Sequence, residues 1–239
     1  MPIELFHADN GAFFDLSALR RGASLVVQDS PLICRAKEGD RAAAIAFKVA
    51  FWPFVREFEL AIDRQSLPRQ PLVDNFGEQR VRRVFSGIAR AVRDMKQEEG
   101  SHAAHWMQDA RCLGINDFAD PGIAGVQALI DRAYTKDLPD FFSMLAGTEL
   151  MAEELARFLV ASDSFTDLFT RRRWAWGEVH LMAEEHGPSH LEIDLDLARA
   201  YQAAGHPATD IEAIVRDTFA LFARAADEVV ATLLPELAA

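Results

Sequence analysis

Residues 78–113 read EQRVRRVFSGIARAVRDMKQEEGSHAAHWMQDARCL, and this stretch decides the fold class. Its apolar side chains recur three and four residues apart, which is the period of an α-helix with one buried face. Gly114 follows the last apolar residue, as is typical of a helix end. The stretch therefore predicts one long helix, with Gly100 as its weak point.

The same period recurs along most of the chain, with proline and glycine at the predicted helix ends. Residues 1–38 lack it, so we expect them to form an irregular N-terminal cover over a helical core at 39–235. The pattern predicts an all-α, single-domain bundle of about seven helices around a central cavity, spanning residues 1–239. The predicted helices are 40–63, kinked at Pro53, and 78–113, 121–134, 140–160, 164–185, 191–204 and 211–233.

Composition argues against two classes of partner. The chain of 239 residues carries 25 Lys and Arg against 37 Asp and Glu, a formal net charge of −12 that repels phosphate backbones and anionic lipids. We therefore expect neither nucleic acid nor a membrane as partner. The sequence has no signal-peptide pattern, so we expect a cytoplasmic protein. Its two cysteines form no disulfide framework or CxxC motif.

The first candidate site residues are Glu99 and His102. On one helix they share a stripe with Met95 and Trp106, so an acid and an imidazole lie within an apolar face. A buried carboxylate needs a partner, and Glu-x-x-His supplies two metal ligands from one helical turn. The alternative is that Glu99 is solvated and His102 bonds a backbone carbonyl. Taken alone, the motif favours this alternative.

Glu149 is the second candidate. Helical spacing places it with Leu145 and Ala152 on the apolar side of its helix, whereas Glu154 is expected to point elsewhere. The alternative is an acid paired with an arginine such as Arg157. For Glu153 we prefer that pairing.

His190 and Asp194 are the third candidates, because they lie one turn apart and can bind a common ion. Leu197 and Tyr201 continue the same face. The sequence supports an alternative about equally well. In that alternative His190 lies at the start of the helix, and Asp194 is a first-turn acid favoured by the helix dipole. His180 and His186, which flank this run, are expected to be surface residues.

Together, Glu99, His102, Glu149, His190 and Asp194 supply the carboxylate and imidazole mixture of a non-heme iron site. Their order resembles that of the heme-oxygenase-like superfamily, which includes TenA-like and PqqC-like proteins and di-iron oxidases. The central helix of that family carries an acid, a histidine, a bulky aromatic residue and a closing Leu-Gly, matched here by Glu99, His102, Trp106, Leu113 and Gly114. A later glutamate and a His-x-x-x-Asp-x-x-His motif follow, matched by Glu149, His190 and Asp194.

The resemblance implies a substrate pocket inside a helical shell and, in the metal-binding members, activation of dioxygen at iron. It implies Glu149 as a bridging carboxylate, with Glu99, His102, His190 and Asp194 as terminal ligands of one or two iron ions. The final histidine of the motif falls at Leu197, so a single metal, recruitment of His105, Glu98 or His186, and loss of metal binding all stay open.

Three functions follow as hypotheses. The leading one is an iron-dependent oxidase or oxygenase acting on a small amine, amino acid or carboxylic acid, with an electron donor that the sequence does not identify. The second is a metal-free enzyme that uses Tyr201, His102 and Glu149 as catalytic acid–base groups. The third is a noncatalytic protein whose basic-aromatic run, residues 171–176, binds a partner, although such a run is more often packed at an edge or in a homodimer contact.

Overall fold

The computed structural model describes residues 3–7, 13–182, 188–205 and 209–234. All regular structure in these ranges is helical, and a single cluster of buried apolar side chains forms the core. None of these helices is long and apolar enough to span a bilayer. The α-helices are α1 (Leu16–Asp29), α2 (Pro31–Lys37), α3 (Arg41–Asp63), α4 (Arg69–Phe76), α5 (Glu78–Cys112), α6 (Ala124–Ala133), α7 (Leu138–Val160), α8 (Asp163–Thr166), α9 (Ala175–Val179), α10 (His190–Ala203) and α11 (Ile211–Leu233).

Five of the predicted helices, α3, α5, α6, α7 and α10, agree with the structure within three residues at each end. A sixth, α11, has the predicted bounds. Their ends follow from local chemistry. The side chains of Asp40, Asp137 and Asp210 accept backbone N–H groups at the starts of α3, α7 and α11. Gly114, after α5, has a positive φ of 77°, which glycine adopts without strain.

The expectation of an irregular cover at residues 1–38 is wrong for residues 16–37, which form α1 and α2. Asp15 caps α1, and Ser30 caps α2 ahead of Pro31 in its first turn. The buried face of α1 is narrow, consisting of Leu19, Ala23 and Val27 at every fourth position, so its helical period is weak in the sequence. Helix α4 was not predicted either. With these three helices and the two short ones that replace the predicted helix at 164–185, the described chain has eleven α-helices rather than about seven.

The predicted helix at 164–185 is the other error. The segment is broken into α8, a 3-10 turn at Thr170–Arg172 and the short α9. Arg171 and Arg172 have positive φ angles of 58° and 57°, which an α-helix cannot contain.

Helix α9 is anchored by the carboxylate of Asp109 on α5. The backbone N–H groups of Ala175 and Trp176 donate to its two oxygens at 3.1 and 3.0 Å. Lys48 on α3 lies 3.5 Å from the same carboxylate, with its Nζ 3.8 Å from the centroid of the Trp106 ring. Both charged side chains are buried. Burial lowers the pKa of Lys48 to about 7 and raises the pKa of Asp109, so each charge costs free energy here.

Helix α7 lies at the centre of the fold and buries residues around most of its circumference, including Phe141, Phe142 and Leu145. It packs against α1, α9, α10 and α11. Gly147 makes the contact with α11 close, because a Cβ there would stand 2.8 Å from the Cβ of Thr218. The central helix is therefore held against α11 just before Glu149.

We expect Asp109→Ala to lower the free energy of unfolding by about 3 kcal/mol, because it leaves the Lys48 ammonium without its counter-charge and removes the acceptor that holds α9. Urea denaturation measures the change. Asp94→Ala, at an exposed position of the same helix, is the control and should change stability by about 0.5 kcal/mol or less. Equal losses in the two variants would contradict the anchoring role.

The buried Lys48 also makes stability depend on pH. The unfolded chain keeps the lysine protonated up to about pH 10.4, whereas the folded chain releases the proton near pH 7. Between these values the unfolded state binds more protons, so the contribution of Lys48 to stability rises with pH. Relative to Lys48→Met, the wild type should gain about 2 kcal/mol between pH 7 and 9.

Denaturation of both proteins at several pH values measures this gain. Lys136→Met, at an exposed position, should leave the pH dependence of the wild type unchanged. A stability difference between wild type and Lys48→Met that stays constant from pH 7 to 9 would refute the expectation.

Candidate active site

Glu99 and His102 form a hydrogen-bonded dyad on α5. Oε2 of Glu99 lies 3.2 Å from Nδ1 of His102, and the side chains are 10% and 12% exposed. An ionised carboxylate only accepts, so Nδ1 is the donor and the lone pair of the neutral ring lies on Nε2. Gly100, expected to weaken the helix, leaves room for Glu59, since a Cβ there would stand 3.2 Å from Oε2 of Glu59.

His180, at the end of α9, joins this dyad. Its ring centroid lies 4.4 Å from that of His102, and its Nδ1 donates to the carbonyl oxygen of Trp176 at 2.7 Å. Burial lowers its pKa to about 4, with the neighbouring His102 adding to the effect, so His180 is neutral at pH 7. The expectation of a surface position is therefore wrong for His180. His186 lies outside the described residues.

Glu149 and His190 face each other across α7 and α10. Nδ1 of His190 is 4.0 Å from Oε1 of Glu149, and its Nε2 is 3.3 Å from Oε2 of Glu98 on α5. The Glu149 side chain is 19% exposed and that of Glu98 is 54% exposed. Glu153 pairs with Arg157 at 2.6 Å, as the helical spacing predicts. Glu154 is nevertheless more buried than Glu149 and also contacts Arg157, contrary to the expectation that it points away.

Asp194 and Tyr201 lie deeper in the core. Both are fully buried, as is Leu197 between them. The Tyr201 hydroxyl donates to the carbonyl oxygen of Pro68 at 3.3 Å, and burial raises its pKa. Neither residue lines the cavities described next, and neither does His105. Glu99, His102, Glu149 and His190 thus line these cavities, whereas Asp194 and Tyr201 do not.

Three cavities succeed one another at this site, and neighbouring ones share wall residues. The outermost, the mouth, has a volume of about 550 Å³ and is lined in part by Arg20, Glu98, His102, Glu149, Glu153, Arg157, His180 and His190. The throat holds about 40 Å³ between Phe54, Val55, Phe58, Glu99, His102, Thr148, Glu149, Ala152, Trp176 and His180. The chamber holds about 70 Å³, and its aromatic walls are Phe47, Phe51, Phe54, Trp106, Trp176 and Phe222.

The chamber presents almost no polar group to a ligand. Its two wall hydroxyls belong to buried side chains: Thr148 donates to the carbonyl oxygen of Met144 at 3.1 Å, and Ser30 accepts the backbone N–H of Ile33 at 3.5 Å. The indole N–H of Trp106 donates to the carbonyl oxygen of Lys48 at 3.0 Å. The arrangement is a polar throat that leads to an apolar interior.

A metal ion is held by several side chains that converge on one point. Within the part of the chain that the structure describes, no three His, Cys, Asp or Glu side chains are arranged so that they could hold one ion. Glu99 and His102 bond each other, and Asp194 is not among the residues that line the throat. The five predicted ligands, as placed, do not fit a two-iron centre.

The basic-aromatic run at 171–176 is not an open binding surface. Trp174 and Trp176 are buried against Lys48, with ring centroids 5.5 and 5.9 Å from its Nζ. Arg171, Arg172 and Arg173 are exposed. The tryptophans therefore belong to the core, and Trp176 also lines the throat and the chamber.

Comparison with known proteins supports the fold. No family model and no curated protein matches the chain. Among solved structures, a TenA homologue from Pseudomonas syringae pv. tomato superposes with a TM-score of 0.62 at 12% identity, over 92% of this chain and 91% of that one. The expected all-α, heme-oxygenase-like fold is thereby confirmed.

Proposed function

We propose that this chain is an enzyme that transfers protons on a small organic substrate bound in the throat. The observation that carries the proposal is the Glu99–His102 dyad, 3.2 Å across, in the wall of a cavity backed by an apolar chamber. A carboxylate-oriented imidazole in a partly dehydrated cavity is a common general base. The resemblance to the heme-oxygenase-like superfamily implies a substrate pocket inside the helical shell. The TenA-like fold of the chain is consistent with this role.

The dyad divides the work between its two side chains. Glu99 fixes the tautomer of His102, so that Nε2 is the atom that takes the proton, and its carboxylate stabilises the imidazolium that results. Glu149 lines the same cavity, where its carboxylate accepts a hydrogen bond from the substrate, and the His102 imidazolium returns the proton to the developing anion. His180, neutral at pH 7, offers its Nε2 as a hydrogen-bond acceptor that orients the substrate. Tyr201, the third group expected in this chemistry, has no part in the proposal because it lies outside the throat walls.

Mass spectrometry of fractionated metabolite extracts incubated with the protein identifies the compound that is consumed. His102→Gln should slow its consumption by about 100-fold or more, because the proton acceptor is lost. Glu99→Gln should also slow it, since an amide donates as well as accepts and no longer stabilises the imidazolium. Gln97→Ala, exposed on the same helix, should react at the wild-type rate. Wild-type rates in His102→Gln would refute the proposal.

Iron-dependent oxidation by dioxygen is the second candidate. It is favoured by one observation: Glu99, His102, Glu149 and His180 line a single small cavity and offer the oxygen and imidazole ligands that non-heme iron takes. Because the described side chains do not converge on one ion, this function requires them to rearrange when the metal binds.

Metal analysis tests this second candidate. Protein purified from iron-supplemented cells should carry iron in a fixed ratio to protein, and His102→Ala should lose it, whereas Gln97→Ala should retain it. Consumption of the substrate should then stop after treatment with a chelator and return with ferrous iron. Protein that is free of iron and fully active contradicts iron chemistry and leaves the acid–base proposal in place.

A further inference from the structure

We infer that the site binds an amphipathic amine, with its ammonium group in the throat and an apolar, preferably aromatic, tail in the chamber. The inference rests on the proposed function for the location of the reacting group. It adds the chemical class of the substrate, and it follows from the distribution of charge and polarity along the three cavities.

The walls of the throat and mouth carry an excess of carboxylates. Glu99 and Glu149 line the throat, and Glu98 lies at the mouth. In the described walls the only lysine or arginine side chains are Arg20 and Arg157. A bound cation is favoured by such walls, and a carboxylate or phosphate is repelled.

Both arginines are committed to other carboxylates. Arg20 binds Glu153 at 2.5 Å, and Arg157 binds Glu153 at 2.6 Å and also contacts Glu154. They therefore neutralise the rim of the mouth rather than the throat. Lys48, the nearest buried cation, stands behind the ring of Trp106 and is paired with Asp109. Neither the two arginines nor Lys48 can therefore pair with an anion in the throat.

The chamber beyond the throat suits only an apolar group. Its two wall hydroxyls belong to the buried side chains Thr148 and Ser30, and its remaining walls are mainly aromatic and aliphatic. Its volume of about 70 Å³ is several times the ~10–15 Å³ that one water needs, so it holds a group of several heavy atoms. Phe51 and Phe222 stack at 5.9 Å and Phe47 meets Trp106 edge-on at 5.2 Å, which leaves ring faces and edges for an aromatic tail.

Calorimetry on the intact protein, supported by tryptophan fluorescence, tests the inference with three probes. Phenethylamine carries both groups, hydrocinnamate replaces its ammonium by a carboxylate on the same skeleton, and methylamine lacks the tail. Phenethylamine should bind at least tenfold more tightly than either of the others. Equal or tighter binding of hydrocinnamate would overturn the assignment of the head group.

Two variants locate the two ends of the ligand. Glu149→Gln should weaken phenethylamine at least tenfold and reduce its preference over hydrocinnamate, whereas Asp94→Asn, exposed on α5, should change neither. Ala226→Phe fills the chamber from α11 and should reduce phenethylamine binding to that of methylamine. Ala220→Phe, exposed on the same helix, should bind like the wild type.

If Ala226→Phe fails to fold, Ala152→Val makes a smaller intrusion from α7 and should weaken phenethylamine binding but not methylamine binding. Unchanged binding of phenethylamine in a folded chamber variant would overturn the placement of the tail. The His102→Gln variant separates this inference from the proposed function, since it should keep the preference for phenethylamine over hydrocinnamate while losing turnover. Turnover that depends on His102 without any preference for amines would leave the acid–base proposal standing and refute the inference.

Discussion

The carboxylate of Asp109 joins three parts of the chain that are distant in sequence: the middle of α3, the end of α5 and the start of α9. It accepts two backbone N–H groups of α9 and faces the ammonium of Lys48 in a setting from which water is excluded. Because α9 spans only five residues, its own hydrogen bonds cannot hold it in place. The positions of Trp176, which lines the chamber, and of His180, which lines the throat, therefore depend on a side chain that touches neither cavity.

The helices that could be predicted from sequence are those whose bounds are set by nearby residues, through the apolar period and the capping side chains. Helix α5 is indicated by an apolar stripe of about nine turns and by the glycine that follows it. Helices α3, α7 and α11 begin at aspartates that cap their own first turns. The segment after α7 could not be predicted in this way. Its conformation is set by Asp109, more than sixty residues away, and by two arginines with positive φ, so the apparent periodicity of 164–185 was misleading.

The candidate site was predictable only in part, for a related reason. Glu99 and His102 were identified because their spacing on one helix implies contact, and the structure gives that contact. His180 was expected at the surface because the sequence shows no partner for it on its own helix. Its neighbour in the structure, His102, lies on another helix. One signal was present: Trp176 and His180 lie one turn apart, which indicates a shared face. Asp194 and Tyr201 follow His190 on α10, but both are fully buried and neither lines the cavities.

The close contact of Gly147 with Thr218 has a consequence for recognition. It fixes α7 to α11 one residue before Thr148 and two before Glu149, while Phe222 and Ala226 follow Thr218 by one and two turns of α11. The acidic end of the site and the apolar end are thus carried by one rigid pair of helices. The amine inferred above would therefore meet a carboxylate and an apolar wall whose separation these two helices set together.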